Sequence, residues 1–107
     1  MTLALSARAS EDYRGIIRWS VEQFGSAQGR AYASVINATL EDLLAGRGTI
    51  EGRARPDIAA GIFSIHVARH GRKGRHFVIF RLVPRQASQR IEVLRILHDA
   101  MDLPRHL

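Results

Sequence analysis

The chain has 107 residues, a net charge of +6 and a pI near 11.2, which is the size of one small domain with a strongly positive surface. It contains no cysteine, which excludes disulfides, a thiolate nucleophile and cysteine-based metal centres. No apolar run approaches the roughly 20 residues that span a bilayer, and residues 1–6 do not resemble a signal peptide. We therefore expect a cytoplasmic protein that does not enter a membrane.

The N-terminal region predicts a short strand and a helix. Residues 2–5 are apolar, as in an edge strand, and Ser6 offers a side-chain oxygen that can cap a helix. Apolar residues recur at three- and four-residue steps over residues 13–24, and Gly25 is a natural end for this helix. Trp19 lies beside the apolar stripe, so we expect it in the core or at a helix interface.

A second helix and a long loop follow. Ser26 can cap this helix, residues 32–44 form its apolar stripe, and Gly46 stops it. Two amphipathic helices joined by so short a turn predict an antiparallel helical hairpin. Residues 46–61 carry glycines, a proline and arginines without a period, which predicts a long loop, with a helical turn at residues 57–60.

The remainder of the chain predicts strands. Residues 62–67, 76–83 and 90–97 are rich in β-branched and aromatic side chains, and turn-like segments at residues 69–75 and 84–88 separate them. Three strands linked in this way form an antiparallel meander. The third is apolar on both faces, which favours a central position in the sheet.

This order of elements predicts an α+β fold over residues 1–107 as a single domain. We expect an N-terminal strand, an antiparallel helical hairpin packed on a three- to four-stranded, mostly antiparallel sheet, and a short C-terminal helix. The face of the sheet opposite the helices is expected to remain open as a concave surface. The loop after Gly46 and the C-terminal tail would flank it.

Five short motifs occur in order along nearly the whole chain. They are Leu5-Ser6-Ala7-Arg8-Ala9-Ser10-Glu11-Asp12-Tyr13-Arg14-Gly15-Ile16, then Phe24-Gly25, then Gly52-Arg53-Ala54-Arg55 with Gly61-Ile62-Phe63-Ser64, then Val78-Ile79-Phe80-Arg81, and finally Ile91-Glu92-Val93-Leu94-Arg95-Ile96-Leu97-His98 with Met101-Asp102. Each motif alone is weak, but their order resembles that of the RelE/ParE toxins of bacterial toxin–antitoxin pairs. The resemblance is stronger to the ParE branch, because Phe63 stands where many relatives have an arginine.

The resemblance implies the toxin of a type II toxin–antitoxin system. Such a toxin inhibits DNA gyrase by binding, without catalytic residues, cofactor or metal, and a ParD-like antitoxin neutralises it by folding a disordered C-terminal segment over it. The alternative is a RelE-like ribosome-dependent mRNA endoribonuclease, for which Arg81, Arg95 and His98 would supply cations and an acid or base. A degenerate toxin kept as an interaction module is a third possibility. The sequence identifies neither the antitoxin nor the stoichiometry of the complex.

The basic loops and the tail supply the candidate residues for binding a partner or target. They are Arg53, Arg55, Arg69, Arg72, Lys73, Arg75, Arg81, His98, Asp102 and Arg105. Arg95 also has a structural interpretation, in which it shares a strand face with Ile91, Val93 and Leu97 and pairs with Asp99 or Asp102. We expect contact with nucleic acid to be indirect or non-specific at most, because no exposed aromatic platform is predicted.

Three histidines lie near one predicted hairpin: His66, His70 and His76. Neither a carboxylate-rich pattern nor a spacing typical of metal ligands accompanies them. We therefore interpret them as polar hairpin residues and expect no metal site.

Overall fold

The computed structural model describes residues 1–84 and 89–107 and contains a five-stranded sheet with two long helices. The strands are β1 (Thr2–Leu5), β2 (Arg53–Ala54), β3 (Ile62–His66), β4 (His76–Pro84) and β5 (Gln89–His98), and the helices are α1 (Ala7–Phe24), α2 (Ser26–Leu44), α3 (Gly48–Glu51) and a 3-10 helix at Leu103–His106. The strand order is β1-β5-β4-β3-β2, and only the β1–β5 pair is parallel. The predicted α+β class, edge strand, central third strand and short C-terminal helix are confirmed.

The sheet has five strands, one more than the upper end of the expected three to four. The additional strand, β2, and the helix α3 both form within residues 46–61, which the sequence predicts as an irregular loop. β2 has two residues and α3 has four, which is too short for a recognisable periodic pattern of apolar residues. The turn predicted at residues 84–88 lies mostly outside the described residues. No described helix is long and apolar enough to cross a membrane.

Ser6 links the first strand to the first helix and to the centre of the sheet. Its Oγ accepts a hydrogen bond from the backbone N–H of Ala9 at 3.0 Å, which confirms the predicted N-cap. The same hydroxyl donates to the carbonyl of Leu94 at 2.8 Å. The cap therefore fixes the start of α1 against β5, a contact between residues 88 positions apart.

A single glycine joins the two long helices. Gly25 has a φ of 95°, in the region that favours glycine, and it serves as the last cap of α1 and the first cap of α2. The prediction that Ser26 caps α2 is wrong, because Ser26 is the first helical residue and α2 has no side-chain cap. One turn later the helices touch closely: a Cβ on Gly29 would lie 2.4 Å from Val21 Cγ2.

A bulge in β5 divides the apolar side chains between two cores. Ile79 pairs with Arg95 whereas Phe80 pairs with Val93, so Leu94 is an additional residue that reverses the alternation of β5. Val93 and Ile96 therefore both join the core beneath the helices, whereas the next residue, Leu97, packs on the opposite face. The expectation that Arg95 shares a face with Ile91 and Val93 is wrong for this reason.

The second face of the sheet is covered, contrary to the expected open concave surface. Buried Ile79, Leu97 and Leu103 form a small core there, and Ile58 packs against it. Leu103 comes from the C-terminal 3-10 helix, and Ile58 from the turn in the segment predicted to be helical, where its N–H bonds to the Arg55 carbonyl at 3.0 Å. These buried side chains cover the sheet face that was expected from the sequence to be open.

Candidate functional site

The outer edge of β5 is only half covered. β1 pairs with β5 from Arg90 to Val93, and beyond Val93 no described strand lies on that side. A groove of about 700 Å³ opens there, between α1, the start of α2 and the end of β5. Its apolar lining includes Ile16, Trp19, Phe24, Ile96, Leu97 and Met101. A groove of this kind suits a peptide segment better than a compact polar ligand.

Two large aromatic side chains are exposed at one end of the groove. Trp19 is 56% exposed and Phe24 is 64% exposed, and their rings make an edge contact with centroids 5.7 Å apart. The prediction that Trp19 lies in the core or at a helix interface is wrong, because the neighbouring Ser20 is the buried residue of that turn. Exposed aromatic rings beside an apolar groove are typical of protein interfaces.

An ion pair fixes α1 beside the uncovered edge of β5. Asp12 accepts from the Arg95 Nε at 2.8 Å and from the backbone N–H of Ile96 at 2.9 Å. Arg95, whose side chain is only 12% exposed, also donates to the carbonyl of His106 in the tail. The hydrogen bond that Arg95 donates to Asp12 raises the pKa of Arg95, which keeps the guanidinium charged.

Arg95 is therefore a structural residue, as one interpretation of the sequence held, but its partner is Asp12 and not Asp99 or Asp102. Asp12 lies 83 positions away in the chain, and no local pattern marks the pair. This clamp ties the first helix, the last strand and the C-terminal tail together.

The groove has a polar spot made by Tyr32, His76 and His98. The Tyr32 hydroxyl accepts from the Arg75 backbone N–H at 3.0 Å and lies within hydrogen-bond distance of His76 Nδ1, at 2.6 Å. His76 and His98 are partners across β4 and β5, with ring centroids 5.3 Å apart. Burial, and secondly the neighbouring His98, lower the pKa of His76 to about 4. His76 is therefore neutral at pH 7.

Asp99 organises the end of the groove next to this spot. It accepts from His66 Nε2 at 3.0 Å and from Arg75 Nε at 3.2 Å, and the hydrogen bond from His66, followed by that from Arg75, lowers the pKa of Asp99. His66 Nδ1 in turn accepts the backbone N–H of Ala68. These residues connect β3, the loop before β4 and the end of β5.

The three residues of the ribonuclease alternative are not brought together. Arg81 pairs with Glu92, with an Nη2–Oε1 distance of 2.6 Å. It lies five residues along β4 from His76, the cross-strand partner of His98, which corresponds to about 17 Å. Arg95 is held by Asp12 as described above. The described geometry offers no common point where these side chains could act on one phosphate.

Most of the predicted basic contact residues take part in ion pairs within the chain. These pairs are Arg55–Asp57 at 2.7 Å, Arg69–Glu51 at 3.7 Å, Arg72–Asp42 at 2.6 Å, Arg75–Asp99 at 3.2 Å, Arg81–Glu92 at 2.6 Å and Arg105–Asp102 at 3.4 Å. Within residues 1–84 and 89–107, Arg53 and Lys73 are the members of the predicted set that are exposed and make no ion pair. Of the partner-binding candidates, His98 and Arg75 line the groove, and Arg95 of the ribonuclease alternative lines it as well.

A second cluster, formed by Asp42, Glu51 and His70, holds the basic loop. The possible ligand atoms of these three residues lie within 4.8 Å of one another, and His70 Nε2 is 2.6 Å from Glu51 Oε1. Three arginines lie against the same two carboxylates: Arg47, Arg69 and Arg72. Because these guanidinium groups already offset the negative charge, the cluster fits a clamp on the loop better than a cation site.

Comparisons with known proteins identify the family of the chain. A family model described as "ParE toxin of type II toxin-antitoxin system, parDE" matches residues 3–103. Toxin ParE of Escherichia coli is 34% identical over 99 residues, which cover 92% of this chain and 85% of that protein. Toxin ParE1 of Caulobacter vibrioides is 30% identical over 103 residues, covering 96% and 94% of the two chains.

Two solved structures share the fold. The chromosomal ParDE TA system from P. aeruginosa superposes with a TM-score of 0.68 at 20% identity, covering 92% of this chain and 95% of that one. A YoeB/ParE toxin from Agrobacterium tumefaciens gives 0.59 at 18% identity, covering 92% and 98%. With the family model matching nearly the whole sequence, the chain belongs to the ParE toxin family of type II toxin–antitoxin systems.

Proposed function

We propose that the groove beside β5 is where a ParD-like antitoxin neutralises this toxin. The observation that carries the proposal is the apolar groove bordered by exposed Trp19 and Phe24. In a chain of net charge +6, an acidic and partly apolar segment complements such a surface. A disordered antitoxin segment that folds on binding would bury both aromatic rings.

We further propose that the free toxin acts on DNA gyrase by binding and without catalysis. Membership of the ParE family supports this target. The separation of Arg81 from His98, and the clamp on Arg95, favour binding over RNA cleavage. Contact with DNA is then indirect, through the enzyme that holds it, and the positive surface assists the approach.

Gly15 offers a test of the groove. It lies in α1, lines the groove, and a Cβ added there meets nothing within 4 Å. Gly15→Leu should therefore fold but fill the groove, whereas Gly15→Ala leaves most of it open. We expect the antitoxin encoded in the adjacent reading frame to co-purify with the wild type and Gly15→Ala, and to be lost from Gly15→Leu.

The contrary result would be equal capture of the antitoxin by all three proteins with matching circular dichroism. That outcome would place the antitoxin on another surface. If the adjacent reading frame encodes no protein that binds the wild type, the proposed antitoxin pairing itself fails.

The proposed target requires a separate experiment. Purified toxin should inhibit supercoiling of relaxed plasmid by gyrase, and addition of the antitoxin should restore it. Intact supercoiling at saturating toxin would reject gyrase as the target. Cuts in mRNA on translating ribosomes, absent from His98→Ala, would instead support the ribonuclease alternative.

A further inference from the structure

The two histidines in the groove carry N–H groups that no other described residue accepts. His98 Nδ1 accepts the backbone N–H of Ala100 at 3.1 Å, and His76 Nδ1 lies 2.6 Å from the Tyr32 hydroxyl. With both Nδ1 atoms engaged as acceptors, the ring proton of each histidine lies on Nε2. Neither Nε2 makes a hydrogen bond among the described residues, although both rings line the groove. His98 is exposed over 45% of its side chain, so a partner can reach it.

The charged groups around His76 and His98 can accommodate the negative charge of a further carboxylate. Asp12 is paired with Arg95 and Asp99 with Arg75, while His66 donates a further hydrogen bond to Asp99. Arg75 keeps 71% of its side chain exposed, so its guanidinium still faces solvent next to His98. Glu11 is the other acidic residue that lines the groove. A carboxylate bound beside the two rings, on the groove side, would meet two N–H donors and a partly free guanidinium.

We propose that His76 and His98 together bind one acidic side chain of the antitoxin segment, and that this contact sets the register of the segment in the groove. The inference rests on the proposed antitoxin function of the same groove. The acidic residue is flanked by bulky apolar residues, for which the groove lining offers Ile96, Met101 and Trp19. The apolar contacts supply area, while the charged hydrogen bonds select one alignment.

His98 is the better residue for a test, because it is more exposed than His76 and its loss leaves the Tyr32 contact intact. His98→Leu removes the donor, whereas His98→Gln keeps a side-chain N–H at similar reach. Binding of the antitoxin from the adjacent reading frame would be measured by titration calorimetry. We expect His98→Leu to weaken binding about tenfold, as for loss of a hydrogen bond to a charged group, and His98→Gln to recover most of the affinity.

The acidic partner is found by changing each Asp or Glu of the antitoxin's C-terminal segment to the matching amide. One such change should weaken binding to the wild-type toxin by about tenfold and have almost no further effect on His98→Leu. Arg30→Gln is the control for general charge attraction, because Arg30 is exposed on α2 and outside the groove lining.

Equal affinity of wild type, His98→Leu and His98→Gln would overturn the histidine contact while leaving the antitoxin in the groove. The histidine contact would also be overturned if every acidic residue of the antitoxin segment coupled to His98 to the same small extent. That result would indicate general charge attraction and not a specific contact. Failure of the wild type to bind the antitoxin would overturn the proposed function, and this inference with it.

Discussion

His76 makes the stability of the fold depend on pH. Burial lowers its pKa from 6.5 to about 4, so between these values the unfolded chain takes up a proton that the folded chain does not. The contribution of neutral His76 to stability is therefore fully present above pH 6.5 and is lost as the pH falls towards 4. We expect urea denaturation to give a free energy of unfolding about 1–2 kcal/mol lower at pH 5 than at pH 7, after allowance for solvent screening of a partly exposed ring.

His76→Gln is the matched variant, because an amide can still bond to Tyr32 but does not titrate. It should be less stable than the wild type at pH 7 and should lose much less between pH 7 and pH 5. Asp99 does not confuse the comparison, since its pKa is lowered from 3.8 and its contribution is lost only at lower pH. Equal losses in the two proteins would show that His76 is not the titrating group.

The ion pair between Asp12 and Arg95 should matter far more than the pair between Arg81 and Glu92. Arg95 and Asp12 are 12% and 15% exposed, whereas Arg81 is 51% exposed. Asp12→Asn leaves a buried guanidinium without its counter-charge, which should cost about 3 kcal/mol. Glu92→Gln should cost less than about 1 kcal/mol, because the Arg81 guanidinium remains hydrated. Chemical denaturation of both variants measures the difference, and equal costs would contradict the structural role of the clamp.

At the scale of the elements, two helical glycines should respond to alanine in opposite directions. Gly15 has open space around a new Cβ, so Gly15→Ala should stabilise the protein by about 0.5–1 kcal/mol through the helix preference of alanine. A Cβ on Gly29 would lie 2.4 Å from Val21 Cγ2, and a β-branched side chain has few alternative rotamers. Gly29→Ala should therefore destabilise by about 1–2 kcal/mol, because the clash exceeds the helix preference.

Thermal unfolding followed by circular dichroism measures the change in stability caused by Gly15→Ala and by Gly29→Ala. Stabilisation by both substitutions would mean that the helices can separate at Gly29 without loss. Because the two positions receive the same change in the two helices of one hairpin, general effects of alanine cancel in the comparison.

The sequence predicts the elements that short-range signals define. Ser6 and Gly25 mark helix ends through local backbone chemistry, and the long strands follow from runs of β-branched residues. The bulge at Leu94 depends on how β5 meets β4, and the Asp12–Arg95 pair joins residues 83 positions apart. Helical periodicity likewise shows that Trp19 borders an apolar stripe but not whether a neighbour covers it. The groove escaped prediction because it is made by these long-range contacts.

At the scale of the whole molecule, a strongly positive chain leaves an apolar groove uncovered beside its central strand. Charge and apolar surface act at different stages of binding. Long-range attraction brings an acidic partner to the toxin, whereas burial of the groove and its aromatic rings determines how long the partner stays. Because salt screens charge attraction but not apolar burial, varying the salt concentration separates the two contributions to binding.

Raising the NaCl concentration from about 0.05 to 0.5 M should slow association with the antitoxin by about tenfold or more, because the Debye length falls from above 10 Å to below 5 Å. The dissociation rate should change by less than about threefold, since it depends on apolar contacts within the groove. Trp19, exposed in the free toxin, provides the stopped-flow fluorescence signal as the only tryptophan of the chain. Phe24→Ala should show the opposite pattern, with faster dissociation and unchanged salt dependence. An association rate that is independent of salt would reject charge steering as the role of the positive surface.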